Sequence, residues 1–91
     1  MPPNNVPNNV IVGKANYVNG DANQVQGNLN ALVGSWNQVQ GSANTLLGSA
    51  NTVVGSRNQL AGNQNIVGGN TNYVVGNVNG VVGSSNIIGG D

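Results

Sequence analysis

The side chains of this chain that could do chemistry are almost all carboxamides. Asn stands at every seventh position: Asn9, Asn16, Asn23, Asn30, Asn37, Asn44, Asn51, Asn58, Asn65, Asn72, Asn79 and Asn86. A carboxamide is neither acid nor base at neutral pH. What it offers is one acceptor oxygen and two donors, so a periodic row of them can bond to itself and to backbone. The remaining candidates are sparse. Six Ser are present, but the chain has no His, and a Ser nucleophile needs a base beside it. Asp21 and Asp91 lie 70 positions apart and make no carboxylate pair. Without Cys or His, thiolate and imidazole metal sites are excluded, and so are disulfides. The Gly spacing lacks the Lys of a phosphate loop, and no Asp recurs to hold calcium. The reading is therefore a non-enzymatic protein with no cofactor and no metal. A formal net charge of zero removes the electrostatic term that draws proteins to nucleic acid or an acidic membrane surface.

What elements must position these carboxamides? Gly recurs at 13, 20, 27 and on to 90, and a branched aliphatic recurs from Ile11 to Ile88, both on the same seven-residue period. The unit is x-x-Asn-x-[Val/Ile/Leu]-x-Gly, and a period this strict points to a repeat architecture. A coiled coil needs two apolar positions per heptad, and only one is reliably apolar here. An obligatory Gly would also cost a helix about 1 kcal/mol per repeat. Collagen needs Gly at every third residue. A strand fits: Asn and the aliphatic are two apart, so they share one face, and the residues between and after them point outward. Gly then supplies a corner.

The expected fold is all-β, a two-sided β-solenoid with about 14 residues per coil and about six coils, stacked about 4.8 Å apart. Two seven-residue units make the smallest closed coil. The three core Leu, Leu32, Leu46 and Leu60, all fall in alternate units, as if a wall of larger residues faced a wall of Val. The inward Asn are expected to form amide-to-amide ladders along the stack. Residues 1–6 lie outside the repeat and 7–91 form the solenoid. Asn19-Gly20 and Asn79-Gly80 look like hairpin turns, but the register makes Gly20 a corner and Gly80 an outward strand residue. The three Pro of the first seven residues would blunt an exposed first edge, and no cap is visible at Gly90-Asp91. No leader pattern stands at the N-terminus.

The unit x-x-Asn-x-Val-x-Gly, running from residue 7 to 90, resembles the ice-binding, ice-recrystallisation-inhibiting proteins of cold-hardy grasses. That resemblance implies a left-handed solenoid, an inward Asn ladder, an ice surface as partner and an extracellular, apoplastic setting. The chain departs from it on the outside, where the grass proteins are rich in Thr and Ser. One face carries Val10/Val12, Gln24/Gln26, Gln38/Gln40, Thr52/Val54, Ile66/Gly68 and Gly80/Val82. The other has its longest run of small or aliphatic groups at Ala31, Val33, Thr45, Leu47, Ala61 and Val75, and these six with Gln59 and Tyr73 between them are the expected ice-binding strip. Trp36, Tyr17 and Tyr73 could stack on sugars but read as single surface residues. The competing function is a fibre subunit that self-associates through coil ends or an outer face, favoured by the outward aliphatics and the absence of net charge.

Overall fold

A computed structural model describes residues 9–90. The proposed boundary at residue 7 and the N-terminal prolines lie outside that range. Twelve three-residue strands follow one another: β1 Val10–Val12, β2 Tyr17–Asn19, β3 Gln24–Gln26, β4 Ala31–Val33, β5 Gln38–Gln40, β6 Thr45–Leu47, β7 Thr52–Val54, β8 Gln59–Ala61, β9 Ile66–Gly68, β10 Tyr73–Val75, β11 Gly80–Val82 and β12 Ile87–Gly89. The odd strands form one six-stranded parallel sheet, here sheet 1, and the even strands form the other, sheet 2. Pairing is in register at 14 residues, as in Val25↔Val39 and Leu32↔Leu46. This is the two-sided β-solenoid that the period predicts. Gly20 closes β2 at a corner and Gly80 opens β11, so neither Asn-Gly pair makes a hairpin.

Strands of three residues follow from the repeat. Only the aliphatic and its two outward neighbours separate Asn from Gly, and both of those residues belong to corners. The core is one row from each sheet. Val25, Val39, Val53, Val67 and Val81 of sheet 1 face Leu32, Leu46, Leu60 and Val74 of sheet 2, all of them buried. The size asymmetry of the two walls is real. Burial fails at the ends of the stack, where Val18 and Ile88 are partly covered and Ile11 is 37% exposed. A coil with only one neighbour cannot hide its aliphatic, as is general for stacked repeats.

The corners hold the conformational cost. Each repeat Gly lies at φ between 116° and 137°, a region closed to other residues. It is also sterically locked: a Cβ on Gly48 would sit 1.8 Å from the carbonyl oxygen of Gly62 in the next coil. Two residues after each Gly the chain turns again through the left-handed region. Ala, Leu, Trp, Arg, Gln, Thr, Val and Ser all occupy that place, at φ of 58° to 64°. For residues with a Cβ this costs roughly 1–2 kcal/mol each. The turn is stabilised because it aims the amide along the stack. Trp36 N–H donates to Asp21 O at 3.1 Å and Ala50 N–H to Ser35 O at 3.0 Å.

Two outcomes test these corners. Gly48→Ala should lower stability by about 3 kcal/mol or more, because backbone must move. Gly68→Ala, where nothing lies within 4 Å of the added Cβ, should be neutral or slightly stabilising. Val78, β-branched at φ 58° and 69% exposed, is the most strained corner residue. Val78→Asn should gain about 1 kcal/mol, since Asn tolerates this region best. Thermal melts of the three variants decide these outcomes and the gain at Val78.

Candidate functional site

The Asn side chains face inward, and from Asn9 to Asn72 each one spans a whole corner of the next coil. Asn37 Nδ2 donates to Gly48 O at 3.0 Å, where that corner opens, and Asn37 Oδ1 accepts from Asn51 N at 3.0 Å, where it closes. Asn44 does the same with Gly55 O at 2.9 Å and Asn58 N at 3.0 Å. From Asn23 to Asn72 every repeat Asn is buried, and among the described residues no buried side-chain polar atom lacks a partner. The staple is thus mostly side chain to backbone.

The expected amide-to-amide ladder needs correction on one side. Along the column leading into sheet 2, each Nδ2 also donates to the Oδ1 one coil below, at 3.1 Å from Asn30 to Asn16, Asn44 to Asn30, Asn58 to Asn44, Asn72 to Asn58 and Asn86 to Asn72. Along the column leading into sheet 1 (Asn9, Asn23, Asn37, Asn51, Asn65, Asn79) no such bond forms among the described residues. There the carboxamides bond to backbone alone.

A second, outer ladder escaped the sequence reading. Where the residue after Gly in the next coil is Asn, it receives the amide that follows Gly in the coil below. Lys14 N donates to Asn28 Oδ1 at 2.9 Å, Ser49 N to Asn63 Oδ1 at 2.9 Å, Ser56 N to Asn70 Oδ1 at 3.0 Å and Asn63 N to Asn77 Oδ1 at 2.9 Å. Ser does this once among the described residues, weakly, from Asp21 N to Ser35 Oγ at 3.4 Å. The available signal was Asn directly after Gly at 28, 63, 70 and 77.

With the inside committed to structure, function falls to the outside. Sheet 2 presents two straight columns. One runs Tyr17, Ala31, Thr45, Gln59, Tyr73, Ile87; the other runs Asn19, Val33, Leu47, Ala61, Val75, Gly89. The eight residues named from sequence, Ala31, Val33, Thr45, Leu47, Gln59, Ala61, Tyr73 and Val75, therefore share one surface across four adjacent strands. Ala31 and Ala61 are half-buried, while Val33, Leu47 and Val75 are 40–55% exposed. Sheet 1 is shaped differently. Its long Gln24, Gln26, Gln38 and Gln40 stand over a groove of about 230 Å³ that is floored by Val25, Val39 and Val53. The Gln pairs lie in register, Gln24 with Gln38 and Gln26 with Gln40. Trp36 is a corner residue and 70% exposed, while Tyr17 and Tyr73 both stand in one column of sheet 2. Among the described residues no three acidic, thiol or imidazole groups converge to hold a metal. Among the described residues there is no helix long and apolar enough to cross a membrane.

A family model described as the grass antifreeze beta roll matches residues 4–91. No curated protein sequence matches the chain.

The staple makes a graded prediction. Asn44→Ala deletes four hydrogen bonds and Asn51→Ala two. Both strand a buried amide, so each should cost about 2–4 kcal/mol, with Asn44→Ala the worse by about 1 kcal/mol. Thr45→Ala and Thr52→Ala, whose side chains make no hydrogen bonds, should stay within about 0.5 kcal/mol of the parent. Melting temperatures in the order Asn44→Ala below Asn51→Ala below both Thr variants would verify the register.

Proposed function

The chain belongs to the grass antifreeze beta roll family, and on that premise we propose that it inhibits ice growth and recrystallisation through the outer surface of sheet 2. Membership supports ice binding in general. The choice of surface rests on one observation: sheet 2 carries two in-register columns of small and aliphatic groups at its centre, whereas the Gln residues of sheet 1 wall a groove.

The physics is that of a flat, stiff, uncharged surface. Ice offers no charge and no pocket. A binder must hold water in an ice-like arrangement without competing for its hydrogen bonds. Methyl groups of Ala31, Val33, Leu47, Ala61 and Val75 confine that water, and the Thr45 hydroxyl anchors it by one donor and two acceptors. The spacing between rows is set by the backbone ladder and not by the side chains, so the array keeps a fixed repeat along the stack. Gln59 and Tyr73 interrupt the pattern, which leaves the active patch short. No step in this function calls for catalysis or a cofactor. An ice-facing protein of this kind acts where ice forms, and we place it outside the cell.

A second reading is self-assembly. Val10, Val12, Val54 and Ile66 of sheet 1 are 51–61% exposed and Val82 91%. A face with that much outward aliphatic surface and no charge among its strands can pack on a copy of itself.

Thr45→Lys separates the readings. It places a long hydrated side chain in the middle of the sheet 2 surface and leaves the Asn staple untouched. At about 2 kcal/mol for a central contact, the concentration needed to stop recrystallisation should rise on the order of tenfold or more. Thr52→Lys on sheet 1 should change little. Loss at Thr52 with retention at Thr45 would assign the ice surface to sheet 1. Filaments in electron micrographs of a parent protein that neither shapes nor slows ice would favour the second reading.

A further inference from the structure

The chain contains two Asn-Gly pairs, Asn19-Gly20 and Asn79-Gly80. This dipeptide is the one most prone to spontaneous deamidation, because Gly has no side chain to hinder attack by its own backbone nitrogen. We propose that Asn19 is a site of spontaneous deamidation in the folded protein, and that the corner staple protects Asn79, which has the same local sequence.

The reaction balances without any reagent beyond water. The Gly20 backbone nitrogen gives up its proton and attacks Cγ of Asn19, forming a five-membered succinimide. The side-chain nitrogen takes up the proton and departs as ammonia. Water then opens the ring at either carbonyl, leaving aspartate or isoaspartate. Cγ must first swing toward the following peptide, so whatever pins the carboxamide or its backbone slows the step.

The two sites are pinned very differently. Asn19 is the last residue of β2, outward and exposed, at the end of a column on sheet 2. Its backbone is held in the strand ladder opposite Val33 and accepts from Gly34 N at 2.9 Å. Its carboxamide is held by none of the described residues. Asn79 is a staple residue. Its Nδ2 donates to Gly90 O at 2.7 Å, its backbone N donates to Asn65 Oδ1 at 2.9 Å, and its backbone O accepts from Ile66 N at 2.8 Å. Reaction at Asn79 requires the carboxamide to release Gly90 O. At Asn19 the carboxamide turns with no bond to break among those described.

The product matters to the molecule. Deamidation puts a carboxylate beside Val33, its register partner in sheet 2, on a chain whose formal net charge is zero. Isoaspartate also adds a carbon to the main chain directly before Gly20. That Gly opens the corner that Asn9 spans, through Asn9 Nδ2 to Gly20 O at 2.8 Å and Asn23 N to Asn9 Oδ1 at 2.8 Å. Modification therefore acts on the corner between β2 and β3, the first one whose staple is described. The inference does not depend on the ice-binding reading.

The test is a time course of the intact protein in mildly alkaline buffer, with peptide mapping by mass spectrometry at both sites. In the folded chain Asn19 should deamidate about three- to tenfold faster than Asn79, the factor given by the one carboxamide hydrogen bond that Asn79 must break. In denaturant the two rates should converge. Asn19→Gln should keep the parent melting temperature and abolish the early acidic species seen on anion exchange. Comparable rates at the two sites in the folded protein would overturn the proposal. So would a rate difference that persists in denaturant, or an early acidic species that survives Asn19→Gln.

Discussion

The whole structure depends on a carboxamide reaching across a corner. Each buried Asn donates to the carbonyl that opens the next coil's corner and accepts from the amide that closes it, as Asn51 does with Gly62 O and Asn65 N, both at 2.9 Å. No other side chain can do this. Asp has no donor, Gln is a carbon too long, and Ser is too short to span the turn. The Gly requirement follows from the same geometry. For the staple to close, successive corners must stack so tightly that a Cβ would meet the carbonyl above at 1.8 Å. Asn and Gly are therefore one device, and the seven-residue period is its footprint in the sequence.

This device explains how so thin a core suffices. One aliphatic per strand is little hydrophobic surface. The stack is instead made of hydrogen bonds that repeat from coil to coil along strands, corners and both Asn columns. Such bonds are worth little singly, about 0.5–1.5 kcal/mol each, and leaving one unmade in the interior costs more than making it yields. Stability is accordingly greatest in the middle, where Asn30 to Asn65 are at most 1% exposed, and lower at the ends, where Ile11 is 37% exposed. Local opening should start from the terminal coils.

Because the backbone and the inward residues carry the fold, the outward ones are released from it. The two sheets share one repeat and yet present different surfaces: Gln walls and a groove on one, small and aliphatic columns on the other. A scaffold of this kind sets spacing and stiffness, and leaves each surface to be chosen by a few residues per strand. That separation suits a ligand such as ice, which is recognised by the regular placement of groups and not by charge or a pocket.

Much of this was legible in the sequence, for a physical reason. Parallel in-register stacking puts identical residues above one another, so the period of the sequence is the period of the structure. From it came the two sheets, the 14-residue coil, the Val and Leu walls around Val39 and Leu46, the inward Asn, and the place of Gly20 and Gly80. The same register assembled the eight outward residues from Ala31 to Val75 on one surface. Other features belong to the tertiary structure alone. Nothing in Leu29, Trp36 or Val78 marks a left-handed turn, since those residue types avoid it; the neighbouring coils impose it by accepting the amide it directs along the stack. The unequal Asn columns are likewise invisible, because Asn44 and Asn51 occupy the same place in the repeat. One carboxamide also meets the carboxamide below it and the other does not, and a one-dimensional repeat does not record that contact.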